Sequence, residues 1–133
     1  MNKTTTMETR MMQIVFPNQV NHVGTLFGGH ALEWMDMAAS IAATRYTRCT
    51  VVTVASDKIE FKVPVKLGEL IDLVAVVESL GTTSLTVDVK LFSEILLTGE
   101  RKLCTEGKFT MVAVDANMNP ISIIMPSAPE LAP

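Results

Sequence analysis

NHVGTLFGGHALEWMD, residues 21–36, joins a loop-like segment to the first turns of a long run of helix-forming residues. The run continues from Gly28 to about Tyr46, and its Ala, Leu and Met content predicts a single helix. Apolar side chains fall on nearly every side of this helix, which is typical of a buried element. Asp36 interrupts the apolar pattern, at a position too far from the helix start for capping or for stabilisation by the helix dipole.

After about Tyr46, apolar and polar residues alternate with a period of two, which is typical of strands. A short apolar run at residues 11–16, closed by Pro17, predicts a first strand before the helix. Short links with turn signals separate the later runs, which favours an antiparallel sheet. The sequence therefore predicts an α+β architecture, with one antiparallel sheet wrapped around one long central helix. The four strands expected after the helix cover residues 58–63, 70–80, 85–91 and 102–114.

The length of 133 residues favours one domain. We expect a flexible N-terminal segment at residues 1–9, the domain itself at residues 10–124 and an irregular tail at residues 125–133. The hydrophobic fraction of 48% is high for a small monomer. A large core or an interface between subunits must absorb this apolar surplus, so a homo-oligomer is expected.

Charge and composition argue against several classes of protein. The net charge is −3 and the basic residues are scattered, which indicates no nucleic-acid partner. No apolar run reaches the length of a membrane span, and the N-terminus lacks the apolar region of a signal peptide. We therefore expect a cytoplasmic protein with no membrane partner. Cys49 and Cys104 lie far apart without a histidine cluster, which predicts two reduced thiols and no metal site.

The carboxylate and the paired glycines each allow two interpretations from the residues alone. Asp36 either faces solvent, paired with Arg45 or a lysine, or it lines a cleft where desolvation raises its basicity. Gly28 and Gly29 either serve only to start the helix, or they let a ligand approach the free backbone N–H groups.

Other polar residues in the same segment fit structural roles when they are considered singly. Glu33 falls on a more peripheral side of the helix, where a structural or interface role is expected. His22 and His30 are single histidines without an evident partner. Asn21 precedes the helix in a loop, where its simplest role is the formation of a turn.

A resemblance to a known family adds to this interpretation. The segments NHVGTLFGGHALEWMD, TVASDKIEFKVPVKLGE, ESLGTTSLTVDV and KFTMVAVD together resemble the hotdog-fold acyl-CoA thioesterases. Within them the chain looks most like the bacterial acyl-CoA thioester hydrolases related to the cytosolic brain-type enzymes. The resemblance covers roughly residues 10 to 124, and it includes the Phe-x-x-Pro segment formed by Phe61 and Pro64.

The resemblance implies the site residues. The catalytic aspartate of the family falls on Asp36, its loop asparagine on Asn21, and the backbone amides that polarise the thioester carbonyl on Gly28 and Gly29. Ser40 is one helical turn beyond Asp36, a spacing at which it could hydrogen-bond the carboxylate. The set expected along the substrate is His22, Ser40, Phe61, Thr83 and Ser84, of which the last two fall where the family lies near coenzyme A.

Helix geometry indicates how these residues can form one site. Gly28 and Asp36 are eight residues apart, or about 12 Å along a helix axis. A hydrogen-bond donor and a base must each lie about 3 Å from the same reacting group. One helix cannot place both groups there, but two antiparallel helices in a twofold dimer can. A site shared across a dimer is therefore expected, and the resembled group favours a trimer of dimers.

The resemblance implies hydrolysis of acyl-CoA to a free fatty acid and coenzyme A, without a metal or a cofactor. Asp36 would act as a general base or as a nucleophile, and the sequence leaves both roles open. A hydroxyacyl dehydratase on the same fold is an alternative that needs a catalytic histidine, for which His22 is the near candidate. A non-catalytic acyl-CoA sensor is another alternative, and a structural protein with no site ranks last.

Overall fold

The computed structural model describes residues 7–123 as one five-stranded sheet with one long helix packed on it. The strands lie in the order β1-β3-β4-β5-β2, and every neighbouring pair is antiparallel. This is the predicted α+β architecture, which is confirmed. The bounds are β1 Glu8–Ile14, a short 3₁₀ helix Pro17–Gln19, α1 Gly28–Thr47, β2 Val51–Phe61, β3 Leu70–Leu80, β4 Ser84–Glu94 and β5 Arg101–Ala113.

The strands at the two edges of the sheet differ most from the prediction. β1 begins at Glu8, so residues 8 and 9 belong to the sheet and not to an N-terminal segment. β2 begins at Val51 instead of residue 58, and it is interrupted by two irregularities that hide its alternation. Residues 1–6 and 124–133 lie outside the described residues, and the predicted tail falls among them. No helix within residues 7–123 is both long and apolar enough to cross a membrane.

The core lies between one face of α1 and one face of the sheet. Alanines on that face of the helix let it approach the central strands closely, and Met35 fills the space between them with no exposed surface. The opposite face of the helix keeps Met37 and Ile41 at 47% and 41% exposure. The expectation of a helix buried on nearly every side is therefore wrong for the single chain, because one sheet covers one face. The sheet residues of this core include Ile71, Leu73, Val87, Val89 and Met111.

A buried carboxylate connects the strands on the face of the sheet away from the helix. Asp72 of β3 is 1% exposed, and its Oδ2 accepts hydrogen bonds from Arg10 of β1 at 2.7 Å and Arg101 of β5 at 2.8 Å. The Arg101 guanidinium also lies over the Phe92 ring, 4.1 Å from the ring centroid. Two cations offset the cost of burying this charge, which would be large for an isolated carboxylate.

We predict that the two arginines stabilise the fold mainly by neutralising Asp72. The double variant Arg10→Ala with Arg101→Ala should lose about 3 kcal/mol or more of unfolding free energy, because an unpaired charge remains buried. Either single variant should lose less, since one cation remains. Urea denaturation measures these differences. Lys102→Ala is the control, because the Lys102–Glu100 pair is exposed and long at 3.9 Å. A double variant as stable as this control would contradict the prediction.

Candidate functional site

The start of α1 presents uncapped backbone N–H groups beside an aromatic ring. Phe27 is the N-cap residue, and no side chain caps the helix, so the N–H groups of the first turn have no intrahelical acceptor. A Cβ on Gly28 would lie 3.4 Å from the Phe61 ring, whereas a Cβ on Gly29 would meet nothing within 4 Å. The two glycines therefore leave the backbone accessible, with an aromatic wall on one side and open space on the other.

A pocket of about 240 Å³ opens at this end of the helix. Its walls are the first turn of α1, the end of β2 with the segment that follows, and one buried side chain of β5. Most of the wall is apolar, which suits an acyl chain or another apolar group. The residues that line it are Thr25, Leu26, Gly28, Ala31, Phe61, Lys62, Val63, Pro64, Val65 and Thr105.

The cation at the rim of this pocket is neutralised by its neighbours. Lys62 Nζ lies 3.1 Å from a carboxylate oxygen of Glu106 and 3.3 Å from one of Glu60. The Glu106 and Glu60 carboxylates raise the pKa of Lys62 above its ordinary value, so the ammonium stays protonated. With two anions beside one cation, the rim has no surplus positive charge to attract an anionic ligand.

Asp36 lies two turns along the helix, half-buried against the edge strand β2. Its Oδ1 accepts a hydrogen bond of 2.7 Å from the Thr53 hydroxyl of β2. The carboxylate therefore faces a neutral donor and keeps lone pairs free for a further proton or ligand. Thr53 was missed by the sequence analysis, because a threonine within an apolar run carries no signal of which helix residue it will meet.

Ser40 and Arg45, the two candidate partners of Asp36 named from the sequence, do not hydrogen-bond its carboxylate. Within residues 7–123, Asp36 receives no hydrogen bond from Ser40, so the contact that the spacing allows is not formed. Arg45 donates instead to the Thr9 hydroxyl at 2.9 Å, on the side of β1. Arg45 is nine residues from Asp36, about two and a half helical turns, so the two side chains point in opposite directions.

Asn21 organises the loop before the helix. Its Oδ1 accepts hydrogen bonds from the backbone N–H groups of Val23 at 3.0 Å and Thr25 at 3.1 Å. Its Nδ2 donates to the Thr25 hydroxyl at 3.0 Å. The turn role expected from the residue type is thus present, and one of the two amide hydrogens remains for a ligand.

The histidines do not pair with Asp36. His22 is exposed and makes no hydrogen bond among the described residues. The His30 ring lies between the rings of Phe27 and Trp34, with centroid distances of 6.3 Å and 5.9 Å. His30 Nδ1 is 3.8 Å from a carboxylate oxygen of Glu33, a helical neighbour with an exposed side chain. These contacts fit packing at the helix start.

Within one chain, Thr83 and Ser84 lie apart from Asp36 and from the pocket beside Gly28. Ser84 begins β4 and pairs with Val112 of β5, so β5 separates it from β2. Two strand spacings correspond to roughly 10 Å. The Thr83 carbonyl accepts a hydrogen bond of 2.9 Å from the N–H of Ala113. Neither residue lines the pocket beside Gly28.

Within one chain the candidate site residues therefore lie in two separate groups, which we call half-sites. Gly28 and Phe61 form the first half, and Asp36 and Thr53 form the second, farther along both α1 and β2. The eight-residue separation on the helix keeps the halves about 12 Å apart. In the part of the chain that the structure describes, no three His, Cys, Asp or Glu side chains gather where they could hold a metal ion.

The family model and similar relatives place this chain in the same family. Residues 23–100 match the family described as the thioesterase superfamily. The chain is 38% identical over 109 residues to YkhA of Bacillus subtilis, named an uncharacterised acyl-CoA thioester hydrolase. That match covers 82% of this chain and 63% of the relative. The chain thus spans less than two thirds of the length of this relative.

Solved structures share the same architecture. An apo hexameric acyl-CoA thioesterase is 37% identical with a TM-score of 0.86, over 93% of this chain and 81% of that one. An acyl-CoA hydrolase of Staphylococcus aureus, solved with butyryl-coenzyme A and coenzyme A, is 30% identical with a TM-score of 0.84, over 89% and 72%. The same hydrolase was solved as separate alanine mutants of an asparagine, an aspartate and a threonine. These likenesses confirm the predicted hotdog fold.

Proposed function

Because the chain belongs to the thioesterase superfamily, we propose that it hydrolyses acyl-CoA thioesters to a carboxylic acid and coenzyme A. The observation that carries this proposal is the half-buried Asp36 carboxylate, held by the Thr53 hydroxyl at 2.7 Å. A carboxylate with one neutral donor is fixed in direction and still able to accept a proton. The uncapped N–H groups at Gly28 and Gly29 supply the second requirement, donors for a developing oxyanion.

The mutated residues of the Staphylococcus aureus hydrolase support the choice of residues. In that chain the asparagine precedes the aspartate by 15 positions, and the threonine follows the aspartate by 17. Asn21, Asp36 and Thr53 are separated by the same intervals. Three residue types at two matching intervals are unlike a chance agreement, so we infer that these three residues act together.

The proposed reaction places a water oxygen on the thioester carbonyl carbon. Asp36 takes the proton of that water as a general base, or it attacks the carbonyl itself and forms an anhydride that water then hydrolyses. The first-turn N–H groups hold the carbonyl oxygen as it becomes negative. The C–S bond then breaks, and coenzyme A leaves as a thiolate that takes up a proton. Among residues 7–123 no carboxylate pairs with the exposed His22, so nothing favours a dehydratase.

The remaining site residues would contact other parts of the substrate. The free amide hydrogen of Asn21 would orient the attacking water or the carbonyl. Ser40 lies one turn beyond Asp36 on the same side of the helix and would face the substrate. Thr83 and Ser84 would contact the coenzyme A portion, which extends well beyond the pocket. Coenzyme A enters as part of the substrate, and the proposal includes no metal or other cofactor.

The complete site would form across a twofold dimer. β2 is an edge strand, so its outer edge offers unpaired backbone groups to a second copy. Val54 of this strand is 57% exposed. Asp57 is the midpoint between Thr53 and Phe61. An antiparallel pairing of two β2 strands about Asp57 would set Phe61 of the partner subunit opposite Thr53. The two half-sites would then meet, and the exposed helix faces would be covered.

We predict that Asp36→Asn lowers kcat by at least about 10²-fold, the lower end for loss of a general base. The asparagine keeps the size of the side chain and can still accept the Thr53 hydrogen bond, so the melting temperature should change little. Release of free thiol from a series of acyl-CoA substrates measures the effect. Glu33→Gln is the control, because it removes a carboxylate from the same helix outside the site. Near-normal turnover by Asp36→Asn would refute the assignment.

We predict that Thr53 acts through its hydroxyl. Thr53→Val keeps the shape of the side chain but removes the donor, so the Asp36 carboxylate loses its fixed direction. A fall of roughly tenfold in kcat is expected, which corresponds to the 1–1.5 kcal/mol of one hydrogen bond. Thr53→Ser retains the hydroxyl and should recover most of the activity. An active Thr53→Val together with an impaired Thr53→Ser would mean that the methyl group, and not the hydroxyl, matters.

The cross-subunit site can be tested by mixing two inactive variants. Asn21→Ala and Asp36→Ala homodimers should both be crippled, because every site lacks one group. After the two are unfolded and refolded together at equal concentration, about half of the dimers should be mixed. In each mixed dimer one site has lost both groups and the other has lost neither.

The mixture should therefore recover about a quarter of the wild-type activity, provided that the subunits pair at random. If both residues served a site within one chain, every site in the mixture would still lack a group. Mass spectrometry under native conditions establishes that mixed dimers are present. No recovery in such a mixture would overturn the shared site while leaving thioester hydrolysis by the wild-type protein unaffected.

A further inference from the structure

The edge strand β2 is not regular where it approaches the pocket. Asp57 pairs with Lys108 of β5 and Glu60 pairs with Glu106, so two residues of β2 lie opposite the single residue Gly107. This is a β-bulge. Lys58, the first of these two residues, has a φ of 55°, in the left-handed region that residues other than glycine seldom adopt.

The second residue of the bulge occupies space that Gly107 leaves free. A Cβ built on Gly107 would lie 2.1 Å from Ile59 Cδ1 and 3.3 Å from Ile59 Cγ1. Gly107 is buried in the middle of β5, on the helix-facing side with Phe109. The Ile59 side chain packs against the core at the place where a side chain of β5 would otherwise lie. The bulge therefore depends on the absence of a side chain at position 107.

The bulge decides which side chain of β2 faces the pocket. If the pairing of Asp57 with Lys108 continued without it, Glu60 would lie opposite Thr105 and Phe61 would turn to the outer face, because a shift of one residue reverses the faces. With the bulge, Phe61 pairs with Thr105, and its ring lies against Gly28. The wall beside the first-turn N–H groups is consequently aromatic instead of anionic.

We propose that Gly107, Lys58 and Ile59 are positioning residues. The bulge that they form holds the Phe61 ring against Gly28 and so shapes the binding site of the thioester group. This inference rests on the proposed function, because it concerns how the same site receives its substrate. The three residues act through Phe61, at the Gly28 end of the helix. Disturbing them should therefore alter substrate binding more than the chemistry carried out by Asp36.

Two substitutions at position 58 test the bulge while they remove the same charge. Lys58→Gly favours the left-handed conformation, whereas the β-branched side chain of Lys58→Val opposes it. Lys58→Gly should keep KM near the wild-type value. Lys58→Val should raise KM by roughly tenfold to 10²-fold, with kcat changed far less, because the substrate is misplaced in the ground state and the transition state alike.

A second set of variants tests the same bulge from β5. Gly107→Ala should raise KM in the same way, since the new methyl group displaces Ile59. Adding Ile59→Ala to Gly107→Ala removes the clashing atoms and should restore KM in part. Phe61→Ala should raise KM by itself, and Gly107→Ala should then add little to it, because residues that act through one group are not additive.

The outcomes separate this inference from the proposed function. Equal KM values for Lys58→Gly and Lys58→Val, or full additivity of Gly107→Ala with Phe61→Ala, would overturn it. If Gly107→Ala does not fold, the pair at position 58 decides. If the wild-type protein releases no thiol from any acyl-CoA, the proposed function fails instead. In that case, crystal structures of Lys58→Gly and Lys58→Val test whether the bulge positions Phe61. A Phe61 ring against Gly28 in both structures would refute this inference.

Discussion

The packing of the alanine-rich face of α1 on the sheet is the interaction on which the other features of this protein depend. Short side chains at Ala38, Ala39 and Ala42 bring the helix close to the central strands, and Met35 closes the remaining space. That contact sets the rotation of the helix about its axis. Asp36 is consequently turned toward β2, where the Thr53 hydroxyl reaches it, while Arg45 is turned toward β1.

Two carboxylates have different surroundings, which fit a structural role for Asp72 and the proposed catalytic role for Asp36. Asp72 is buried and bonded to two arginines, which neutralise it and make it a link between strands. Asp36 is half-buried and bonded to a neutral hydroxyl, so its charge is not cancelled by a cation. A carboxylate that serves as a base needs the second environment, because a cation that stabilises its charged form makes it a weaker base.

The edge strand β2 combines three roles. It completes the sheet beside β5, it contributes Thr53 and Phe61 to the two half-sites, and its outer edge is the surface proposed for a second subunit. Its bulges make these roles compatible. A bulge changes the face toward which later side chains point without ending the strand, so Phe61 reaches the start of α1 while Asp57 remains on the opposite face.

The sequence by itself determined the helix and the central strands, because these elements have clear apolar patterns and are bounded by turn signals. The helix from Gly28 to about Tyr46 agrees closely with α1, and the strand predicted at residues 102–114 agrees with β5. The resemblance also indicated Asp36, the paired glycines and Asn21, because these residues lie within one continuous segment. Local spacing along the chain was sufficient for each of these inferences.

Only the tertiary structure decided the early start of β2, the Thr53 partner of Asp36 and the position of Phe61 over Gly28. The first depends on bulges that break the alternation, which no local pattern reveals. The other two depend on how far the helix is rotated and on which face of an edge strand meets it. Contacts between residues distant in sequence are set by the packing of whole elements, and the identity of each residue alone does not contain that information.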